Sequence, residues 1–122
     1  MKPLLLLSLF LTSCASSPYA RYDGPVLIFD QDDPVTVTGE NRGDVSAQSN
    51  WYGGVEKLYP ALAEEAREKG ANVVTEVEAA YVPTGGIVWA APHLKGIAWR
   101  TSEYSKLRNS PVRHREVPPE EP

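Results

Sequence analysis

A single cysteine, Cys14, stands among 122 residues, so no disulfide within the chain can hold a fold together. That constrains a short chain severely. Below about 70–80 residues one hydrophobic core supplies only a few kcal/mol, and exported domains of that size commonly add disulfides. Here hydrophobic packing or self-association must suffice.

The cysteine is also peculiarly placed. It ends Leu11-Thr12-Ser13-Cys14, directly after Leu4-Leu5-Leu6-Leu7-Ser8-Leu9-Phe10. Lys2 supplies a positive start, and Leu4 to Leu11 has the length of a signal-peptide apolar region. A spanning helix needs roughly 20 apolar residues, so this run is too short to cross a bilayer. Leu-Thr-Ser-Cys resembles the lipobox of a bacterial lipoprotein signal peptide, in which the cysteine thiol receives a diacylglyceryl group and the leader is cut just before it. Residues 1–13 are then a signal peptide, Cys14 is the lipidated first residue of the mature protein, and residues 14–23 are a tether. The alternative is an ordinary secretory leader cut near Ala15 to Ser17, which discards Cys14. One acyl chain, at about 0.8 kcal/mol per buried methylene, binds a membrane reversibly, whereas two or three anchor it stably. Ala15, rather than an aspartate, follows the cysteine. By the sorting rule of enteric bacteria this predicts the periplasmic face of the outer membrane. Nucleic acid, absent from that compartment, is not an expected partner.

Charge is unevenly spread. Asp23, Asp30, Asp32, Asp33, Glu40 and Asp44 face only Arg21 and Arg42, while Lys95, Arg100, Lys106, Arg108, Arg113 and Arg115 face only Glu103. A basic segment suits an anionic partner such as lipid phosphate or an acidic protein; equally, it is a solvated tail.

Along the chain, Val26 to Phe29 is a continuous apolar run closed by Asp30-Gln31-Asp32-Asp33-Pro34, which predicts a buried strand and a turn. The β-branched Val35 to Thr38 suits a short extension, Gly39 to Gly43 reads as a second turn, and Asp44 to Ser49 is a weak second strand with Val45 and Ala47 on one side. Val55, Leu58, Tyr59, Leu62 and Ala66 then recur at helical spacing, with Glu64, Glu65, Arg67, Glu68 and Lys69 on the other side. Gly70 suits the left-handed residue that ends a helix. Pro60 requires either a helix that starts near Tyr59 or a longer one that kinks. Asn72 to Val82 is the best strand, with Val73, Thr75, Val77, Ala79 and Tyr81 on one face. Pro83 to Gly86 is a turn, and Ile87–Ala91 and Ile97–Thr101 read as two strands joined through Pro92 to Gly96. Residues 104–122 are expected to be a disordered tail, basic and then rich in proline and glutamate. The expected fold is α+β: a two-layer sandwich over residues 24–103, one amphipathic helix on a small, mainly antiparallel sheet, in the order ββαβββ. The path from Asp44–Ser49 through the helix to Asn72–Val82 suits a right-handed parallel crossover.

Leu62-Ala63-Glu64-Glu65-Ala66-Arg67-Glu68-Lys69-Gly70-Ala71-Asn72-Val73-Val74, followed late by Gly96-Ile97-Ala98-Trp99, is similar to the YbjQ/RcsF-like βαβ domain family. The resemblance covers residues 24–101 and is strongest from Ala66 to Val74, residues that stop a helix and start a strand. It implies the fold, and either an envelope stress-sensing role or a ring of subunits. The family's sensor branch carries disulfides, which this chain cannot form. Its other branch is described as heavy-metal-binding, but with Cys14 lipidated no thiol remains here and only His93 and His114 are left as ligands of that kind.

No catalytic constellation with workable spacing is present, and neither enzyme nor cofactor is expected beyond the lipid on Cys14. His93 with Glu76 and Glu78 is the one combination suited to a metal or acid–base site; the bland reading is a turn histidine and an exposed strand face. Gly53-Gly54, before the helix, lacks the partners of a phosphate loop. Trp89 and Trp99 either stack across two strands on the core or join Lys95 and Arg100 as a partner-binding surface. The expected function is a non-enzymatic, membrane-anchored module that binds another envelope protein or senses stress. The alternative is a homo-oligomer whose role is built at subunit interfaces.

Overall fold

The structure, a computed structural model, describes residues 19–48, 55–83 and 90–119. Cys14 and the start of the tether, Gly53-Gly54, the turn after Pro83 and Trp89 lie outside the described residues. Five strands form one mixed sheet: β1 (Val26–Asp30), β2 (Glu40–Gln48), β3 (Val73–Pro83), β4 (Ala90–Arg100) and β5 (Arg115–Val117), in the spatial order β2-β4-β3-β1-β5. A 3-10 turn (Val55–Leu58) leads into helix α1 (Tyr59–Glu68), and a short helix α2 (Tyr104–Arg108) precedes β5. β1 and β3 pair in parallel and the other three pairings are antiparallel. This is the expected α+β arrangement of a helix on a small sheet. β2 and β3 run in the same direction, as a crossover through the helix requires, but β4 lies between them.

The helix begins as its proline demands. Pro60 occupies the first turn, where its missing N–H costs nothing, and Gly70 at φ +73° ends it. A side chain on Gly70 would meet the Ala20 carbonyl at 2.6 Å, so both backbone sign and space require glycine there.

Two clusters grip the sheet. Leu58, Tyr59, Leu62, Ala63 and Ala66 pack on Val26, Ile28, Val45, Val74, Val77, Leu94 and Ala98 on one face. On the other, Leu27, Phe29 and Val73 are covered by Leu107 of α2, with Val35, Val37, Trp99, Tyr104 and Val112 around them. Covered on both faces, Val26 to Phe29 are almost wholly excluded from water, which is why the run is continuously apolar.

Four expectations are corrected. Residues 104–119 are not a structureless tail: Leu107 is buried, and β5 extends the sheet beside β1. The charge asymmetry closes on itself, with Arg113 3.2 Å from Asp33, Arg115 2.8 Å from Glu56, and Arg115 stacked 3.9 Å over the Tyr59 ring. Second, Pro92 to Gly96 is no turn but the middle of the single strand β4. Pro92 stands opposite Tyr81 of β3, but the β2 pairing stops at Gln48–His93, so on that side no described strand requires its N–H.

Third, Gly39 to Gly43 is not one turn: Gly39 bends the chain just before β2, and Gly43, at φ +96°, belongs to a bulge inside the strand where the register slips between Asn41 and Gly43. Val35 to Thr38 lies outside any strand, and Val35 and Val37 pack on the second cluster instead. Fourth, β3 does not alternate throughout. A bulge between Thr75 and Glu78 sends Val77 to the helix side while Val73 stays on the opposite face. Gly96 faces that bulge, and a side chain there would meet Val74 Cγ1 at 2.8 Å and the Thr75 carbonyl at 2.9 Å.

Beside β5, an open cleft of about 380 Å³ is lined by Ile28, Asp30, Asp33, Arg113, His114 and Arg115. Burial pushes the Asp30 carboxyl above its ordinary value, and the Arg115 charge offsets only part of that. An acid whose folded pKa is raised weakens the fold wherever it is ionised. Asp30→Asn is therefore expected to stabilise the protein at pH 7. The gain over wild type should shrink as pH falls through the raised folded value toward the ordinary 3.8, as read by urea melts across pH.

Candidate functional site

α1 covers the helix-side face of the sheet, and the C-terminal segment covers only part of the other. Among the described residues nothing covers the remainder of that outer face, across β2, β4 and β3, which forms an open pocket of about 480 Å³. Its lining is Gln31, Asp44, Val45, Ser46, Glu76, Glu78, His93, Lys95, Gly96 and Ile97. Residues two apart on a strand share a face, so β4 presents His93, Lys95 and Ile97 together here. Opposite them, β2 contributes Asp44 and Ser46, in register with Ile97 and Lys95. Lys95 reaches Glu78 at 3.6 Å, an exposed pair worth at most about 1 kcal/mol. Half-buried Ile97 is an apolar centre within a charged rim.

The β3 bulge shapes this pocket. Glu76 is the only non-glycine with positive φ among the described residues, at +55°. The left-handed region costs an ordinary residue roughly 1–2 kcal/mol, and such strain often marks places where a side chain is re-aimed. Glu76→Gly is therefore expected to raise stability by about 0.5–1 kcal/mol, less than the full relief because glycine gains freedom in the unfolded chain. Glu78→Gly, with no such strain to release, should lower it. Denaturation midpoints of the two variants make the comparison.

His93, Glu76 and Glu78 do line one pocket. Among the described residues no group of three His, Cys, Asp or Glu side chains is arranged to hold an ion.

Of the four residues expected to form a partner surface, the three that are described, Lys95, Trp99 and Arg100, have different surroundings. Lys95 lies in the pocket. Trp99, on the same face but further along β4, is partly covered by the second cluster, and its Nε1 donates to Thr75 Oγ1 at 2.8 Å. That makes it part of the packing between sheet and C-terminal segment. Arg100 turns away to stack 4.8 Å from the Tyr22 ring, beside the N-terminal segment. Trp89 is outside the described residues. Comparison with protein-family models, curated proteins and solved structures finds no match. The geometry alone must carry the functional reading.

The polar anchor of the fold was hidden among the charges of α1. Arg67 shares the charged side in the sequence, yet is 1% exposed. Its Nε donates to the Gly24 carbonyl at 2.8 Å, and its Nη2 to those of Val117 and Pro118 at 2.9 and 2.8 Å. One guanidinium thus joins α1, the segment before β1 and the end of β5. Its one local contact, Nη1 to Glu64 at 3.4 Å, is what any exposed helix pair would make; the carbonyls that bury it are 43 to 51 residues away and leave no local signal.

Proposed function

We propose that this chain is a non-enzymatic binding module held at a bacterial envelope membrane by lipid on Cys14, and that the open outer face of β2, β4 and β3 receives a protein partner. The observation that carries it is that uncovered face. Among the described residues the other sheet surfaces are covered by α1 and the C-terminal segment, yet a pocket around Ile97 stays open with charges of both signs at its rim. An apolar centre within a polar rim is the common plan of a protein-binding surface. The signal-like leader and Leu-Thr-Ser-Cys support the tether. The similarity to the YbjQ/RcsF-like domains is consistent with an envelope sensing or relay role.

A second reading, a homo-oligomer, has its own support. β2 ends the sheet and pairs only with β4 among the described residues, so its outer edge offers unpaired backbone to a second copy.

In-cell crosslinking of the full chain, with capture and mass spectrometry, separates the two, and Cys14→Ala is the control. One heterologous partner, lost with the anchor, is the expected result. Self-crosslinks alone, kept in the control, would favour the oligomer and reject the tethered module.

A further inference from the structure

We propose that Arg21, Arg42 and Arg100 form a binding pocket for a phosphate group, at the end of the sheet where the N-terminal segment docks. This site lies apart from the open face. Its walls are Ala20, Arg21, Tyr22, Asp23, Arg42, Gly70 and Arg100, enclosing about 270 Å³ with three guanidinium groups and one carboxylate.

Three features of the backbone build it. The Tyr22 N–H donates to the Arg67 carbonyl at 2.9 Å, which lays the N-terminal segment against the end of α1. The β2 bulge sets Arg42 out of regular register: Gly43 takes φ +96°, and its N–H donates to Asn41 Oδ1 at 2.7 Å. Bulges on edge strands commonly re-aim a side chain in this way. Gly70 then leaves the room, since a Cβ there would come within 3.3 Å of Arg42 Nη1.

Arg42 is placed but not fully used. Its guanidinium stacks 3.9 Å from the Tyr19 ring and its Nη2 donates to Glu40 Oε1 at 2.7 Å. Its Nε is buried with no acceptor among the described residues. Buried N–H groups nearly always have a partner, so the unmet Nε marks a guanidinium whose hydrogen bonding is incomplete, and an anion in the pocket would engage it through Nη1, which stands beside Gly70. Arg100 likewise has no carboxylate partner among the described residues and only stacks on Tyr22. Arg21 is different: Glu64 and Asp23 hold it at 2.7 and 2.9 Å, which fixes it as a rim. Planar guanidinium forks around a small polar pocket match the oxygens of a phosphate.

Two sources can supply that phosphate: a free ion, or the diester headgroup of a membrane lipid. The headgroup source rests on the tether reading. Tyr19 follows Cys14 by five residues, so even a fully extended chain keeps it within about 18 Å of the lipidated residue.

The test is nitrogen-resolved NMR of the full chain carrying Cys14→Ala in non-ionic micelles, following the arginine Nε–H signals. Sodium phosphate and glycerophosphoglycerol are titrated separately against sodium chloride of matched ionic strength. The Arg42 signal should shift saturably with at least one probe. Arg100→Gln should weaken that binding about tenfold with the amide spectrum otherwise preserved, while Lys106→Gln leaves it unchanged. Tighter binding of the diester identifies the headgroup as the source, and tighter binding of inorganic phosphate the free ion. Shifts that match chloride, or a saturable shift indifferent to Arg100→Gln, would overturn the site. The probes are soluble and the thiol is absent, so an unlipidated Cys14 would reject the tether and leave this result standing.

Discussion

Arg67→Met should cost about 3 kcal/mol, the largest loss expected from any single substitution here. The methionine fills much of the arginine's volume and keeps its helix propensity, so the loss isolates the hydrogen bonds. Three carbonyls, of Gly24, Val117 and Pro118, lose a charged donor. Hydrogen bonds to charged groups contribute about 1.5–3 kcal/mol each, but these carbonyls lie near the surface and partly recover water, so the sum is well below additive. Arg67→Lys keeps the charge without the planar fork and should cost about 2 kcal/mol. Hydrogen exchange gives the more specific signature. Amides of β5, and of β1 where it pairs with β5, should lose protection before those of β3 and β4. Equal loss throughout would mean that Arg67 is a general core residue rather than a clamp on both terminal segments.

Asn72→Ala should cost about 2–3 kcal/mol for a different reason. Asn72 is buried, its Nδ2 donates to the Thr101 carbonyl at 2.8 Å, and its Oδ1 accepts the Thr101 N–H at 3.0 Å. The amide imitates a strand's backbone and carries the β3–β4 pairing past its end. Removing it strands a buried donor and a buried acceptor, each costing about 1–3 kcal/mol when unmet, with some relaxation between them. Asn72→Asp is the sharper test because its sign depends on pH. The carboxylate still accepts from Thr101 N–H but faces the Thr101 carbonyl without a proton, so burial raises its folded pKa above the unfolded value. Its deficit against wild type should be full above the folded pKa. It should shrink as pH falls toward about 3.9, where the protonated acid again donates. A deficit independent of pH would contradict the two-sided hydrogen bond.

These two residues also show what a reader of the chain can and cannot extract. The helix was legible because its signals are local: the apolar spacing from Val55 to Ala66, Pro60 at its start and Gly70 at its end. β1 and β3 were legible for the same reason, as was the layering of a helix on a small sheet. Arg67 was not, because a charge among charges looks solvated until strands distant in sequence bring it three carbonyls. The bulge at Arg42 escaped because glycine beside a polar residue signals a turn as readily as a kink within a strand, and the one at Glu76 because no glycine or proline marks it in the sequence. β5 escaped because three residues paired on one side have no periodicity to read. The same limits applied to the site. His93 was grouped with Glu76 and Glu78, and Lys95 with Trp89, Trp99 and Arg100, but the pocket that joins His93 and Lys95 to Asp44, Ser46 and Ile97 depends on the β2–β4 register.

The most direct test of the tethered binding module is face-resolved photocrosslinking in cells. A photoreactive residue replaces Ile97 on the open face in one version of the full chain, and Glu68 on the solvent side of α1 in another. The proposal predicts a heterologous crosslink from position 97 and none from position 68, with the first abolished by Cys14→Ala. The same partners from both positions, or products from position 97 that contain only this chain, would contradict it.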